Sequence, residues 1–199
     1  MLLDHEAEVL DKINAEEAIS LAQKMVKIDS QNPPGNEKEL ADFMSSLLQA
    51  IGLEIHEYDF KPNRPNVVSI LKPEGVSKTL IFNGHLDTVP FGNLSDWSIP
   101  PLSGLIKDGK LFGRGSTDMK SSIAAFVCAL KTILEEKRDI SGGVLIALTS
   151  DEEDSCRGAE DILNRGFRGT AAIVGEPTSL QINIAHKGFA RFNLTTYGR

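Results

Sequence analysis

Five side chains able to bind a metal or move a proton share one local context in this chain. His85, the adjacent pair Glu152 and Glu153, and Glu176 each follow an apolar run, and Asp118 ends a glycine-containing loop before a helical stretch. The runs Thr79-Leu80-Ile81-Phe82 and Gly143-Val144-Leu145-Ile146-Ala147-Leu148 read as strands buried on both faces. Ligand sites in open α/β sheets lie beyond the carboxyl ends of strands, so neighbouring strand ends would gather these groups at one edge. A neutral imidazole with several carboxylates suits zinc, and a shared carboxylate suits a two-metal site. Asp87, two residues after His85, is placed to accept the second ring N–H, which would fix the tautomer of a ligating histidine. Adjacent residues diverge in direction. Glu152 and Glu153 therefore offer one group for a metal and one for proton transfer, not two ligands for one ion.

The elements that must hold such a site can be read from periodicity and caps. Asn14 with Glu17, and Asn36 with Glu39, make two capping boxes, each before an apolar stripe, and Gly52 stops the second helix. Strands are expected at residues 53–60, 66–71, 79–82, 143–148 and 170–174, with helices at 120–136 and near 159–164. Lys107-Asp108-Gly109-Lys110 has the chemistry of a hairpin turn. This order predicts an α/β fold, a three-layer αβα domain around a mixed, mostly parallel sheet. From Leu180 the pattern becomes alternating, with Ile182, Ile184, Phe192 and Leu194 as the apolar set, which predicts two half-exposed strands. The expected division is a metal-binding domain over 1–184 and the beginning of a second domain over 185–199.

Composition narrows the class. The 199 residues suffice for one sizeable core, and 6% aromatics make that core aliphatic. Net charge is −7, from 21 Lys+Arg against 28 Asp+Glu, which argues against nucleic-acid and anionic-membrane partners. Met1-Leu2-Leu3-Asp4-His5-Glu6 lacks the basic and apolar regions of a signal peptide, and no apolar run approaches the ~18 residues of a membrane span. Cys128 and Cys156 form no CxxC, which points to a reducing compartment and a cytoplasmic location.

Blander readings exist for each feature taken singly. His5, His56 and His186 read as structural, and Phe91 and Trp97 as packing residues. Asp118 alone would be an ordinary helix cap, and residues 151–154 an ordinary acidic loop. Gly113-Arg114-Gly115-Ser116-Thr117-Asp118 lacks the third glycine of a dinucleotide fingerprint, and Gly115-Ser116 does not fit a serine-hydrolase elbow. Cys156 occupies the turn-glycine position of a would-be EF-hand. The metal reading rests on joint occurrence in order.

Gly84-His85-Leu86-Asp87-Thr88-Val89-Pro90, Gly113-Arg114-Gly115-Ser116-Thr117-Asp118-Met119-Lys120, Thr149-Ser150-Asp151-Glu152-Glu153, Gly175-Glu176-Pro177 and His186-Lys187-Gly188 together carry a resemblance. The chain resembles the di-zinc aminoacylase and carboxypeptidase family that includes acetylornithine deacetylase and succinyl-diaminopimelate desuccinylase. The resemblance implies two zinc ions, with cobalt as a substitute. His85 and Glu176 would bind the first, Glu153 the second, and Asp118 would bridge both. Glu152 would be the general base and Asp87 would orient His85. A cis peptide would join Asp118 to Met119. The implied reaction is amide hydrolysis of N-acyl amino acids by a metal-activated water, with dipeptide or C-terminal peptide cleavage as the near alternative. Members also carry a lid and dimerisation domain, whose start would be residues 185–199, and a further histidine ligand late in a longer chain. The implied full-length form is a cytoplasmic homodimer. Residues 1–199 would supply three ligands to one zinc and only Asp118 and Glu153 to the other. A metal-binding or subunit-pairing module without turnover is the alternative from another class.

Overall fold

A computed structural model describes residues 4–136, 140–185, 187, 188, 190, 192 and 194–198. Helices α1 (Asp4–Leu10), α2 (Ala15–Val26) and α3 (Lys38–Ala50) precede strands β1 (Glu54–Lys61), β2 (Arg64–Leu71) and β3 (Thr79–His85). A hairpin of β4 (Leu105–Lys107) and β5 (Lys110–Phe112) leads to α4 (Lys120–Glu135), β6 (Gly143–Thr149), α5 (Arg157–Asn164) and β7 (Ala171–Val174). The main sheet has the order β1-β2-β6-β3-β7. β2 is antiparallel to both β1 and β6, while β3 pairs in parallel with β6 and β7. The sheet is thus mixed, with β2 alone reversed.

Two apolar layers sandwich the sheet, as expected for three layers. On one face Leu21, Met25, Leu40, Met44, Leu48, Ile123 and Val127 from α2, α3 and α4 close over Val67, Ile146 and Leu148. On the other, Ile162 of α5 packs with Val68, Leu145 and Ala147. Alternating residues of β2 and β6 therefore serve opposite layers, which is why β6 reads as a continuous apolar run.

Two details depart from the expected elements. The first box behaves as predicted, with Asn14 accepting the Glu17 N–H at 3.1 Å. The second does not form. Glu37 occupies the N-cap of α3 without a side-chain cap bond, and Asn36 donates to Asp29 Oδ2 at 3.3 Å. The Glu37 carboxylate is taken instead by Arg64, with Nε to Oε2 at 3.0 Å. An ion pair inside the protein outweighs a cap at its surface.

The second departure lies at the end of the chain. None of the described residues after Val174 is in a strand, and Ile182, Ile184, Phe192 and Leu194 stand exposed. A strand needs a partner for its backbone groups, and none of the described residues pairs with these. His186 and the side chain of His5 lie outside the described residues. His56 packs against Tyr58 and Phe167, with ring centroids 6.2 and 5.7 Å apart, and its Nε2 lies 3.2 Å from Glu54 Oε1, apart from the cluster of His85. Both cysteines are free, Cys128 buried and Cys156 exposed. Among the described residues, no helix is long and apolar enough to cross a membrane.

Candidate metal centre

Register brings the site together. His85 is the last residue of β3 and lies opposite Thr149, the last of β6; Asn83 lies opposite Val174, the last of β7. Three parallel strands thus end at one edge, and the residues that follow them are Asp87, Glu152 with Glu153, and Glu176. Asp118 arrives from the turn before α4. Its peptide bond to Met119 is cis, as the resemblance implied.

Ligand atoms of His85, Asp118 and Glu176 lie within 4.8 Å of one another. The His85 ring is 1% exposed, and its Nε2 is 3.0 Å from Asp118 Oδ1 and 3.8 Å from both Glu176 Oε1 and Glu152 Oε2. Burial alone would lower the imidazole pKa. The hydrogen bond to Asp118 and the charges of Asp87, Glu152 and Glu176 outweigh it and push His85 up to about 9. Glu176 is pushed up to about 7, first by burial and then by Asp118, Glu152 and Glu153, against the pull of His85. Burial raises Glu153 as well. The hydrogen bond from His85 holds Asp118 below the usual carboxylate range despite partial burial. Carboxylates crowded around one imidazole proton make a centre that favours a cation, and the donor set suits a divalent metal.

Asp87 sits differently from the sequence expectation. His85 Nδ1 is 2.8 Å from the backbone oxygen of Asp87, while the carboxylate Oδ1 is 3.7 Å away. Asp87 does meet the ring, but through its main chain. Its fully buried carboxylate accepts the Glu152 N–H and the Glu153 N–H, both at 3.1 Å. The side chain therefore holds the turn that carries the glutamate pair.

The glycine loop has a steric role. Gly115 has φ +80°, and a Cβ there would lie 2.8 Å from Thr88 Cγ2 and 3.1 Å from Lys120 Cδ. Lys120 is buried and donates to the carbonyls of Met25 and Ile28 at 3.0 and 2.9 Å, closing the end of α2. Burial lowers its pKa to about 8. Beside the acidic cluster opens a cleft of about 220 Å³ whose lining includes Val89, Arg114, Ser116, Asp118 and Glu153. The Arg114 guanidinium stacks 5.0 Å from the Trp97 ring, which meets Phe91 edge-on. The two aromatics thus pack against each other on this loop, and Trp97 against Arg114.

The conserved-domain model described as Peptidase family M20/M25/M40 matches residues 81–195, from β3 through every motif of the cluster. The chain belongs to this family. Succinyl-diaminopimelate desuccinylase of Beijerinckia indica is 33% identical over 175 residues, covering 84% of this chain and 45% of that protein. The enzyme of the same name from Delftia acidovorans is 36% identical over 172 residues, 82% of this chain and 44% of that protein. The chain spans about half the length of the curated relatives it matches. An M20 family metallo-carboxypeptidase from Sulfolobus solfataricus shares the fold with a TM-score of 0.73 at 21% identity, over 80% of this chain and 37% of that one. Human carnosine dipeptidase 1 does so with a TM-score of 0.70 at 22% identity, over the same shares.

Within this member of the M20/M25/M40 family, sequence reasoning missed four residues behind the cluster. Arg64 Nη1 donates to Asp151 Oδ1 at 2.7 Å and its other side engages Glu37; Asn32 Nδ2 donates to Asp87 Oδ2 at 2.9 Å and to Asp151 Oδ1 at 3.3 Å. All four are buried. A single sequence holds one faint signal for them, a charged arginine at the start of a largely buried strand whose apolar residues are Val67, Val68, Ile70 and Leu71. Its partners are set by the fold.

Proposed function

We propose that this chain is the metal-binding half of a zinc-dependent amidohydrolase acting on N-acyl amino acids, desuccinylase-like in substrate. The observation that carries the reading is the convergence of His85, Asp118 and Glu176 at the ends of neighbouring strands, with Glu152 and Glu153 alongside. The relatives at 33–36% identity, both named as desuccinylases, favour that substrate class over peptides. His85, Asp118 and Glu176 would hold one zinc ion, and Asp118 with Glu153 would offer two ligands to a second. When bound, zinc supplies Lewis acidity that lowers the pKa of water and polarises a carbonyl. Glu152 takes the proton from the attacking water and passes it to the departing amine nitrogen. Asp87 keeps His85 oriented through its backbone oxygen. The products are a carboxylate and a free amine.

Loading the chain with zinc or cobalt and following amine release from N-succinyl-diaminopimelate tests the reading. One ion is expected to bind tightly and a second weakly, with slow turnover. Glu152→Gln should remove that turnover by about 10²–10⁴-fold without changing metal content. Undiminished hydrolysis in Glu152→Gln would remove the base from its role, and two equally tight ions would overturn the ligand assignment.

Metal affinity should weaken as pH falls, because bound metal must displace the protons that His85 holds below about pH 9 and Glu176 below about pH 7. One proton should leave per ion between those values, and two below the lower one. Calorimetric titration in buffers of different ionisation enthalpy reads this count. An affinity that does not change from about pH 6 to 8 would contradict it.

A further inference from the structure

The turn bearing Glu152 and Glu153 is pinned at two carboxylates, and one amide joins them. Asp151, at φ +70°, opens the turn, and Asp87 lies beneath it, accepting the N–H groups of both glutamates. Asn32 Nδ2 reaches Asp87 Oδ2 at 2.9 Å and Asp151 Oδ1 at 3.3 Å. A primary amide nitrogen carries two hydrogens, matched here to two acceptors. We propose that Asn32 is a positioning residue of the metal site, setting where Glu152 and Glu153 stand by holding Asp87 and Asp151 together. The inference rests on the metal reading above.

Charge and burial make this more than a packing contact. Asp87, Asp151 and Glu37 are buried carboxylates, and Arg64 faces Glu37 and Asp151 from the far side. Asn32 is the neutral donor on the side of Asp87. Without it, two buried anions would adjoin with no donor between them, and each controls one part of the turn. Asn32 is itself anchored, its N–H donating to the Thr88 carbonyl at 2.8 Å while the Thr88 N–H donates to Ser30 O at 3.0 Å. The same loop makes room for the arginine. Gly35 has φ +104°, and a side chain there would run into the Arg64 guanidinium.

Two readouts on the whole chain separate this inference from the reading beneath it. In the metal-free chain, Asn32→Ala should speed amide hydrogen exchange at Glu152 and Glu153 by about tenfold, with the β6 amides of Ile146 and Leu148 unchanged. Asn32→Ser, which restores a donor, should recover part of the protection. In cobalt(II) titrations, Asn32→Asp keeps the shape but replaces the donor by a charge. Coulomb attraction alone would make that variant bind the cation more tightly. A positioning role makes it bind about tenfold or more weakly, with a shifted visible absorption band. If Asn32→Asp does not fold, Asn32→Ala and Asn32→Ser carry the cobalt measurement, with weaker binding expected in the first and partial recovery in the second. Unchanged exchange in Asn32→Ala, or tighter cobalt in Asn32→Asp, overturns the inference alone. A parent chain that takes up no cobalt overturns the metal reading and the inference with it.

Discussion

His85→Ala should cost the chain its tight divalent-metal binding, a loss greater than about 100-fold in affinity. Changes in groups that merely orient a ligand cost about 10–100-fold, and His85 is proposed as a ligand that also anchors the arrangement. Its Nε2 is the point from which Asp118, Glu176 and Glu152 are reached at 3.0, 3.8 and 3.8 Å. Removing it also removes the proton that offsets their repulsion. The carboxylates would then raise one another's pKa and compete less well for a cation at neutral pH. Asp118→Ala should match the loss, since Asp118 is proposed to serve both ions. Titration with zinc or cobalt(II), with circular dichroism to establish that the variants fold, checks this. Affinity within about tenfold of the parent in both variants would remove these residues from the ligand set.

Arg64→Met is the substitution expected to cost most stability, about 3–5 kcal/mol. Methionine keeps much of the stem but leaves Glu37 and Asp151 buried without their cation. Both carboxylates are almost fully shielded, at 0% and 1% side-chain exposure, and the arginine side chain is 11% exposed. An exposed pair of the same chemistry would contribute about 0–1 kcal/mol. Burial decides the difference, because the carboxylates cannot regain water without opening the layer between α3 and the sheet. Such a loss is a large share of the roughly 5–15 kcal/mol of a folded domain. Urea unfolding of parent and variant measures it, and a change below about 1 kcal/mol would show the network to be solvated. Glu37→Gln should cost less than Arg64→Met, since the amide keeps an acceptor for the guanidinium.

Much of the fold was legible because its cues are local. The apolar runs of β3 and β6 appear as strands in the expected places, α4 begins at Lys120 as expected, and Asp108-Gly109 makes the β4–β5 turn with φ of +51° and +71°. Helix α1 was not anticipated, having neither a capping box nor a long stripe. The capping box at Asn36 and Glu39 failed for a nonlocal reason, since Arg64, remote in sequence, claims the neighbouring Glu37. The alternation at Ile182–Ile184 and Phe192–Leu194 is real as a pattern. Pattern alone does not supply the partner that a strand needs.

The sequence by itself picked out the side chains proposed to carry the chemistry and the context of each, because strand ends, glycine turns and caps are written in neighbouring residues. It also determined the family, since the family model matches residues 81–195, the stretch that holds the ordered motifs. Only the tertiary structure decided how those side chains meet. Pairing of β3 with β6 and β7 puts His85, Glu152 and Glu176 at one edge, although β6 and β7 follow β3 only after long stretches of chain. It also decided that Asp87 turns its backbone oxygen to His85 and its carboxylate to the glutamate turn, a choice between two acceptors of one residue. The chain Glu37, Arg64, Asp151, Asn32 and Asp87 exists only in the folded molecule. Buried polar groups must find partners wherever packing brings them, and no spacing in the sequence specifies which partners those are.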